Sequence, residues 1–532
     1  MLKCSLQKKE ILNDALALEY FNITEFLINR HIREGRKENI AIKYQDKSIS
    51  YGQLSTYINQ TANYLSSIGV SMGDRVCMLI EDTPAFPVVF FAATALGAIV
   101  VPVNPSQNVE VASYMLENVG AELVIVSQSY ANKFQNMAEM SQVINYIVTG
   151  DFCDKKSALE STIIGFSKKL NLEITKGVDL AYCLFSSGTT GKPKGIMHRH
   201  RDFLYCAKAY AEPILSMSEN DTIFAVSKLT FGYALSGVML FSFIFGAKIV
   251  LMPEQSTAEN VVKTIRKYMP TLFLAQPRLV SDLLQLSLEP QIFKSIKTMV
   301  TAGEVLSKTL YQRWRELYGI ELLDGFGSTE VGHIFISNHR GQVRENSLGK
   351  ALTGYTLKIV DNNNQEVPEG KVGRLCIKGE SLTPFYWNRA DQTQRCIQNG
   401  WFYSEDLFIV KDNYYYFAGR ADEMIKTGCG EWINPIELEK IILNIKEISD
   451  CAVIGYKDNE GVIRLKALIV SGTLSELIKN QVCQVTKDAW PGLTFKHINA
   501  VEFVSILPRS ENGKLQRYKL VSSTLNEFSY DC

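Results

Sequence analysis

Two rhythms of apolar and polar positions alternate along the first part of the chain. From Glu10 to about Leu170, stretches of helical period separate short runs rich in β-branched residues. Tyr51 to Ile68 reads as an amphipathic helix, RVCMLI (75–80) as a short buried strand, and Pro87 to Leu96 as a second helix. AIVVPV (98–103) and AELVIV (121–126) read as further strands. Short β-rich runs spaced by helical periods predict α/β units with parallel strands. The same rhythm returns over 221–252 and 271–300, and there is no repeat of fixed period.

After about Gly370 the texture changes. GRLCIKG (373–379) and DLFIVKDNYYYFAG (406–419) alternate with period two, and the second is broken at Asp412-Asn413, which predicts an antiparallel element. Asn434-Pro435-Ile436-Glu437 then reads as a helix start, with Asn as cap, Pro at the first helical position and an acid three residues on. A boundary is placed at the polar turn Arg420 to Asp422. It separates a large domain, 1–421, from a small α+β domain, 422–532.

Composition narrows the class. The 532 residues, 46% hydrophobic and 21% charged, can bury a large core, which excludes wholesale disorder. The 56 basic residues balance the 56 acidic ones, so no bulk charge favours nucleic acid or an anionic membrane as partner. The eleven cysteines are scattered without a CxxC pair, which predicts free thiols in a reducing, cytoplasmic setting. The apolar stretches 88–101 and 231–247 fall short of the roughly 18 to 20 residues of a membrane span. A soluble small-molecule enzyme is the expectation; oligomeric state stays open between monomer and homodimer.

The densest chemistry lies at Ser186-Ser187-Gly188-Thr189-Thr190-Gly191-Lys192-Pro193-Lys194-Gly195. Three glycines, four hydroxyls and two lysines give a loop of accessible N–H groups and cationic donors suited to phosphate oxygens. The spacing excludes a Walker A loop. The run AYCLF precedes it and a helix is expected near Asp202, so the context reads as strand, loop, helix.

This segment closely resembles the phosphate loop of the adenylate-forming superfamily of acyl- and aryl-CoA synthetases, adenylation enzymes and luciferases. Further matches follow in order: Thr301-Ala302-Gly303-Glu304, Asp324-Gly325-Phe326-Gly327-Ser328-Thr329-Glu330, Gly400 to Asp406, Gly419-Arg420-Ala421-Asp422 and Pro508 to Lys514. The resemblance implies a large domain of packed α/β subdomains with a distorted β-barrel-like part, and a small mobile domain. It also implies ATP-dependent activation of a carboxylic acid to acyl-AMP, then transfer to a thiol. By that match Ser187, Gly188, Thr189, Thr190 and Lys194 hold the β- and γ-phosphates. Thr329 serves the α-phosphate, and Glu330 helps bind Mg²⁺. Gly303, Glu304, Asp324, Gly325 and Phe326 surround adenine, while Asp406 and Arg420 hold the ribose. Lys514 is the implied catalytic cation, and Asp422 the hinge.

Within the superfamily, DGFGSTEVGHIFISN (324–338) and SKLTFGY (227–233) are similar to benzoate-CoA ligases and related aryl-CoA ligases. The implied acyl pocket comprises Phe231, Tyr233, Ala234, Ala302, Phe326, His333 and Ile334, a set suited to a flat ring. Thr230 to Tyr233 carries no acid to hold a substrate amine, which disfavours an α-amino acid. Two departures stand out. Ser404-Glu405-Asp406 replaces Thr-Gly-Asp, and Thr427-Gly428-Cys429-Gly430-Glu431-Trp432 is one residue longer than the aryl-CoA ligase pattern. Gly428 and Gly430 belong to the implied thiol tunnel. The acceptor is therefore either coenzyme A, which is favoured, or the phosphopantetheine of an acyl carrier protein. A catalytically silent adenylate-binding protein is the remaining alternative, and retention of Lys514, Glu330 and Asp406 argues against it.

Overall fold

The computed structural model describes residues 11–140, 145–153, 158–186, 192–427, 431–458, 460–509, 515–517, 519–520 and 530–531, the side chains of 136–140 and 530–531 excepted. The N-terminal rhythms fold as two sheets. One has six strands, in the spatial order Asn145–Thr149, Leu123–Ser127, Arg75–Leu79, Ile99–Pro102, Leu180–Ser186 and Lys194–Arg199. Its neighbours are parallel except for the last pair. In the second sheet, of nine strands, the central run is Leu322–Gly327, Thr298–Thr301, Leu272–Ala275, Thr222–Ala225, Lys248–Leu251 and Ile40–Tyr44. That run is parallel throughout, and antiparallel strands close both edges. Leu123–Ser127 and Thr298–Thr301 are buried at every position, as strands are when helices cover both faces.

The helices start and pack as their sequences require. Tyr51–Ser67 begins at a capping box, with the Ser50 hydroxyl accepting from Gln53 N–H and the Gln53 side chain accepting from Ser50 N–H. Ala85–Ala95 is buried at every position, which explains its unbroken apolar sequence as a core helix. The second apolar stretch divides into Gly232–Ala234, a π-helical Leu235–Leu240 and Phe241–Phe245. Among the described residues, no helix is long and apolar enough to cross a membrane.

An antiparallel sheet follows. Trp401–Lys411 pairs with Gly373–Gly379, Ile397–Gln398 and Tyr414–Arg420. The expected turn sits at Asp412-Asn413, both in the left-handed region (φ 53° and 63°), a conformation that matches the twist of the flanking strands. This hairpin sets Asp406 opposite Arg420.

Beyond it, Ile448–Lys457, Ile463–Ser471, Ala500–Phe503 and Tyr530–Asp531 form a separate sheet. Pro435–Ile442 packs on it and is capped by the Asn434 side chain, with Pro435 leading. The apolar clusters around Leu438 and around Leu468 draw their described members from residue 425 onward. The small unit thus has its own core.

Two expectations are corrected. The helix expected near Asp202 is present as Asp202–Cys206, but strand, loop, helix becomes strand, loop, strand, helix: Lys194–Arg199 runs back antiparallel against Leu180–Ser186 before it. Gly195, Ile196, Met197 and His198 are consecutively buried, so both faces of that strand are covered. Cys77, Cys153, Cys183, Cys206, Cys376, Cys396 and Cys451 are free thiols, but Cys483 is disulfide-bonded. Spacing along a chain does not reveal which thiols folding brings together.

Candidate active site

The C-terminal ends of four parallel strands open into one cleft of about 2010 Å³. Thr222–Ala225 leads to Phe231 and Tyr233, Leu272–Ala275 to Gln276 and Arg278, Thr298–Thr301 to Ala302 and Glu304, and Leu322–Gly327 to Thr329 and Glu330. Ligands of open parallel sheets bind at such strand ends. Asp406 and Arg420 of the antiparallel sheet line the same space, as do Asp450 and Arg509 of the small unit.

Lys194, Glu330 and Tyr386 form a polar cluster in the cleft. Lys194 Nζ donates to Glu330 Oε1 at 2.7 Å, and the Tyr386 hydroxyl donates to the same oxygen at 2.9 Å. Lys194 also lies 4.6 Å from the Tyr386 ring centroid. Burial pushes the Glu330 carboxyl up, but the Lys194 charge and the hydrogen bonds outweigh it and leave it below its ordinary range. Ser186, at the loop's entrance, has a buried hydroxyl with no hydrogen-bond partner. Ser187, Gly188, Thr189 and Thr190 lie outside the described residues. Among those described, no group of three or more His, Cys, Asp or Glu could hold a metal ion. One carboxylate beside a lysine and hydroxyls suits a hard cation carried in with phosphates.

Asp406 is built from below. The Ser404 hydroxyl donates to the Leu375 carbonyl at 2.9 Å and accepts from Asp406 N–H at 3.1 Å. Arg420 donates to Asp406 at 3.0 Å and to both oxygens of Asp422 at 2.9 and 2.8 Å. Burial works against its charge, yet Asp406, Asp422 and Glu423 raise its pKa. The Ser-for-Thr departure therefore keeps the supporting hydroxyl.

Of the residues expected around adenine, Gly303 has φ +90° and Phe326 packs into a cluster with Phe335, Phe408 and Phe417. Glu304 meets the small unit: Arg509 lies 3.5 Å from it and pairs with Asp450 at 2.7 Å, while Arg278 reaches Asp450 at 3.5 Å. Burial raises the Glu304 carboxyl, and Arg509 opposes that shift.

Asp324 is buried and accepts from the Thr301 hydroxyl at 2.7 Å. Burial lifts its carboxyl from 3.8 to about 7. Its protonated form therefore contributes stability that is fully present below pH 3.8 and lost as pH rises through about 7. Asp324→Asn is expected to melt above the wild type at pH 8 and level with it at pH 4. Thermal unfolding at both pH values checks this, and an equal difference at each would refute it.

Of the residues expected in the acyl pocket, Phe231, Tyr233, Ala302, Phe326, His333 and Ile334 line the cleft. Ala234 is fully buried in the helical turn and lies off the described lining. His333 packs against Tyr210, Tyr233 and Phe241 with centroids 5.1, 5.8 and 4.8 Å away. Neither of its ring nitrogens makes a well-formed hydrogen bond. Burial lowers its pKa to about 3, with the Tyr233 backbone offsetting a part, so the ring is neutral at pH 7.

Lys514, Gly428 and Gly430 also lie outside the described residues. Arg509 and Leu515 flank the lysine segment, bridge each other and line the cleft. The sequence reading assigned no role to Tyr386, Arg278 or Asp450. Nor did it give Ser404 a supporting role, although a local signal existed there: a hydroxyl two residues before an acid can bond its backbone.

The family described as AMP-binding enzyme matches residues 29–387, and that described as AMP-binding enzyme C-terminal domain matches 437–514. The chain is 31% identical over 515 residues to the benzoate–CoA ligase of Thauera aromatica, covering 95% of this chain and 96% of that protein. It is 30% identical over 504 residues to the 3-hydroxybenzoate–CoA ligase of Aromatoleum sp. strain CIB, covering 94% and 96%. The crystal structure of the anthranilate CoA ligase AuaEII in complex with anthranoyl-AMP superposes with a TM-score of 0.89 at 31% identity, covering 96% of this chain and 98% of that one. Matches that run almost end to end, over a fold whose strand ends gather these motifs in one cleft, place the chain in the AMP-binding enzyme family of adenylate-forming enzymes.

Proposed function

We propose that the protein is an AMP-forming acid–thiol ligase that activates an aromatic carboxylic acid with ATP and transfers it to coenzyme A. The observation that carries this reading is the uncharged, aromatic end of the cleft at Phe231, Tyr233 and His333, beside the Lys194–Glu330 pair. Its likeness along nearly the whole chain to ligases of benzoate, 3-hydroxybenzoate and anthranilate supports it.

The geometry suits that chemistry. An apolar end with a neutral imidazole takes the ring inward and leaves the carboxylate facing the phosphates. The carboxylate oxygen attacks the α-phosphorus, the bond to the β-phosphate breaks and pyrophosphate leaves. Two anions must meet, so preorganised positive charge supplies much of the rate. Lys194 exchanges Glu330 for phosphate oxygens, the Thr329 hydroxyl serves the α-phosphate, and Lys514 bridges carboxylate and phosphate. Glu330 suits Mg²⁺, which neutralises phosphate charge when bound. Asp406 accepts from the ribose hydroxyls, and Arg420 holds Asp406. The thiol sulfur then attacks the acyl carbon and AMP leaves. The small unit, 422–532, turns about Asp422 between the two steps; Asp422→Pro is accordingly expected to impair thioester formation more than adenylation.

An ATP–pyrophosphate exchange screen tests this. Benzoate and its hydroxy and amino derivatives are expected to support exchange, and adding CoA to yield the acyl thioester. Exchange confined to fatty or amino acids would sink the aromatic assignment.

A further inference from the structure

The turn that carries Thr329 and Glu330 is tethered by its carbonyls. Four consecutive residues each have the backbone oxygen held by a group from elsewhere in the chain. The Thr329 carbonyl lies 2.8 Å from His198 Nε2, and the Glu330 carbonyl accepts from Thr383 N–H at 2.7 Å. The Val331 carbonyl accepts from the Ser381 hydroxyl at 2.8 Å and the Gly332 carbonyl from the Ser236 hydroxyl at 3.2 Å. His198, Thr383, Ser381 and Ser236 are all buried, and Thr383 is itself tied to the Met197 carbonyl at 2.7 Å. His198 is fully buried, stacks on Tyr182 at 5.1 Å and 24°, and has Asp202 at 3.5 Å from its other nitrogen.

We infer that His198 is a positioning residue for adenylation, acting through the Thr329 peptide. For this bond His198 carries its proton on Nε2, since a carbonyl can only accept. A carbonyl fixed on the buried side stops its peptide plane from rotating, and the Thr329 and Glu330 side chains on the cleft side are then held in one orientation. Side chains that touch developing charge act only if aimed before the reaction begins. His198 sits on the strand that also carries Lys194, so one strand sets the cation and, through this tether, the hydroxyl that faces it across the phosphates.

This inference rests on the proposed adenylation, so the wild type is measured first. No exchange with any acid would overturn that reading and this inference with it. Given exchange, His198→Phe keeps the ring and its stacking but loses the donor. It is expected to lower the exchange kcat by about 10- to 100-fold, as for a misplaced catalytic group, with the KM for the acid nearly unchanged. His198→Gln restores an N–H at similar reach and is expected to recover most of the loss. A wild-type kcat in the Phe variant, or equal losses in Phe and Gln, would overturn it. Should the Phe variant not fold, His198→Met carries the test, an apolar side chain of similar length that likewise lacks the donor to the Thr329 carbonyl. A lowered kcat at unchanged KM supports the inference, and a wild-type kcat refutes it.

Discussion

Lys514→Ala is expected to slow ATP–pyrophosphate exchange by roughly 10²–10⁴-fold while the protein stays folded. The argument is electrostatic. When a carboxylate approaches the α-phosphate, charge gathers on oxygens that no apolar group can stabilise, and a cation placed between them acts on the transition state more than on either ground state. Arg509 and Leu515, on either side of the lysine segment, both line the cleft. Transfer from preformed acyl-adenylate to CoA needs no such cation and is expected to suffer far less. Measuring the two half-reactions separately checks this; exchange near the wild-type rate would remove Lys514 from the mechanism.

Glu330→Gln should cost roughly 10²–10³-fold in exchange, the scale of one lost preorganised charge contact. The substitution keeps the size of the side chain and an oxygen for Lys194 and Tyr386, so the loss reports charge rather than packing. Lys194 is 17% exposed and Glu330 9%, so the pair is shielded from bulk water and each charge matters more than it would at the surface. A Mg²⁺ titration separates the roles. If Glu330 carries the metal, the variant's activity saturates at higher Mg²⁺, whereas an unchanged Mg²⁺ dependence would restrict Glu330 to pairing with Lys194.

What the sequence revealed, and what it hid, divides by distance along the chain. Asp324 to Glu330 was legible as a block because its residues are contiguous and could be matched to a motif as one string, whereas the strand that carries them was not anticipated. The hairpin at Asp412-Asn413 and the cap at Asn434 were legible for the same reason, being local choices of backbone conformation. Tyr386 meets Glu330 across 56 residues, His198 meets Thr329 across 131, and Arg509 meets Glu304 across 205. Those meetings depend on strand order, and the nine-stranded sheet places Thr222–Ala225 between Lys248–Leu251 and Leu272–Ala275. Periodicity reports an element's exposed and buried faces and says nothing of its neighbours. The strand Lys194–Arg199 was not anticipated, because its covered faces lack the alternation that marks a half-exposed strand.

The pairing of Arg509 with Glu304 and Asp450 has a thermal consequence. The described contacts between the small unit and the rest include the ion pairs Arg509–Glu304 and Arg278–Asp450 and the pair Thr309 with Asn444, all polar, and the apolar clusters of the small unit close on themselves. A turn that trades one set of charged contacts for another exposes little hydrocarbon, and heat capacity follows exposed hydrocarbon. The proposed equilibrium between two poses of the small unit should therefore give a straight van't Hoff plot. Unfolding of the same unit should give a curved one.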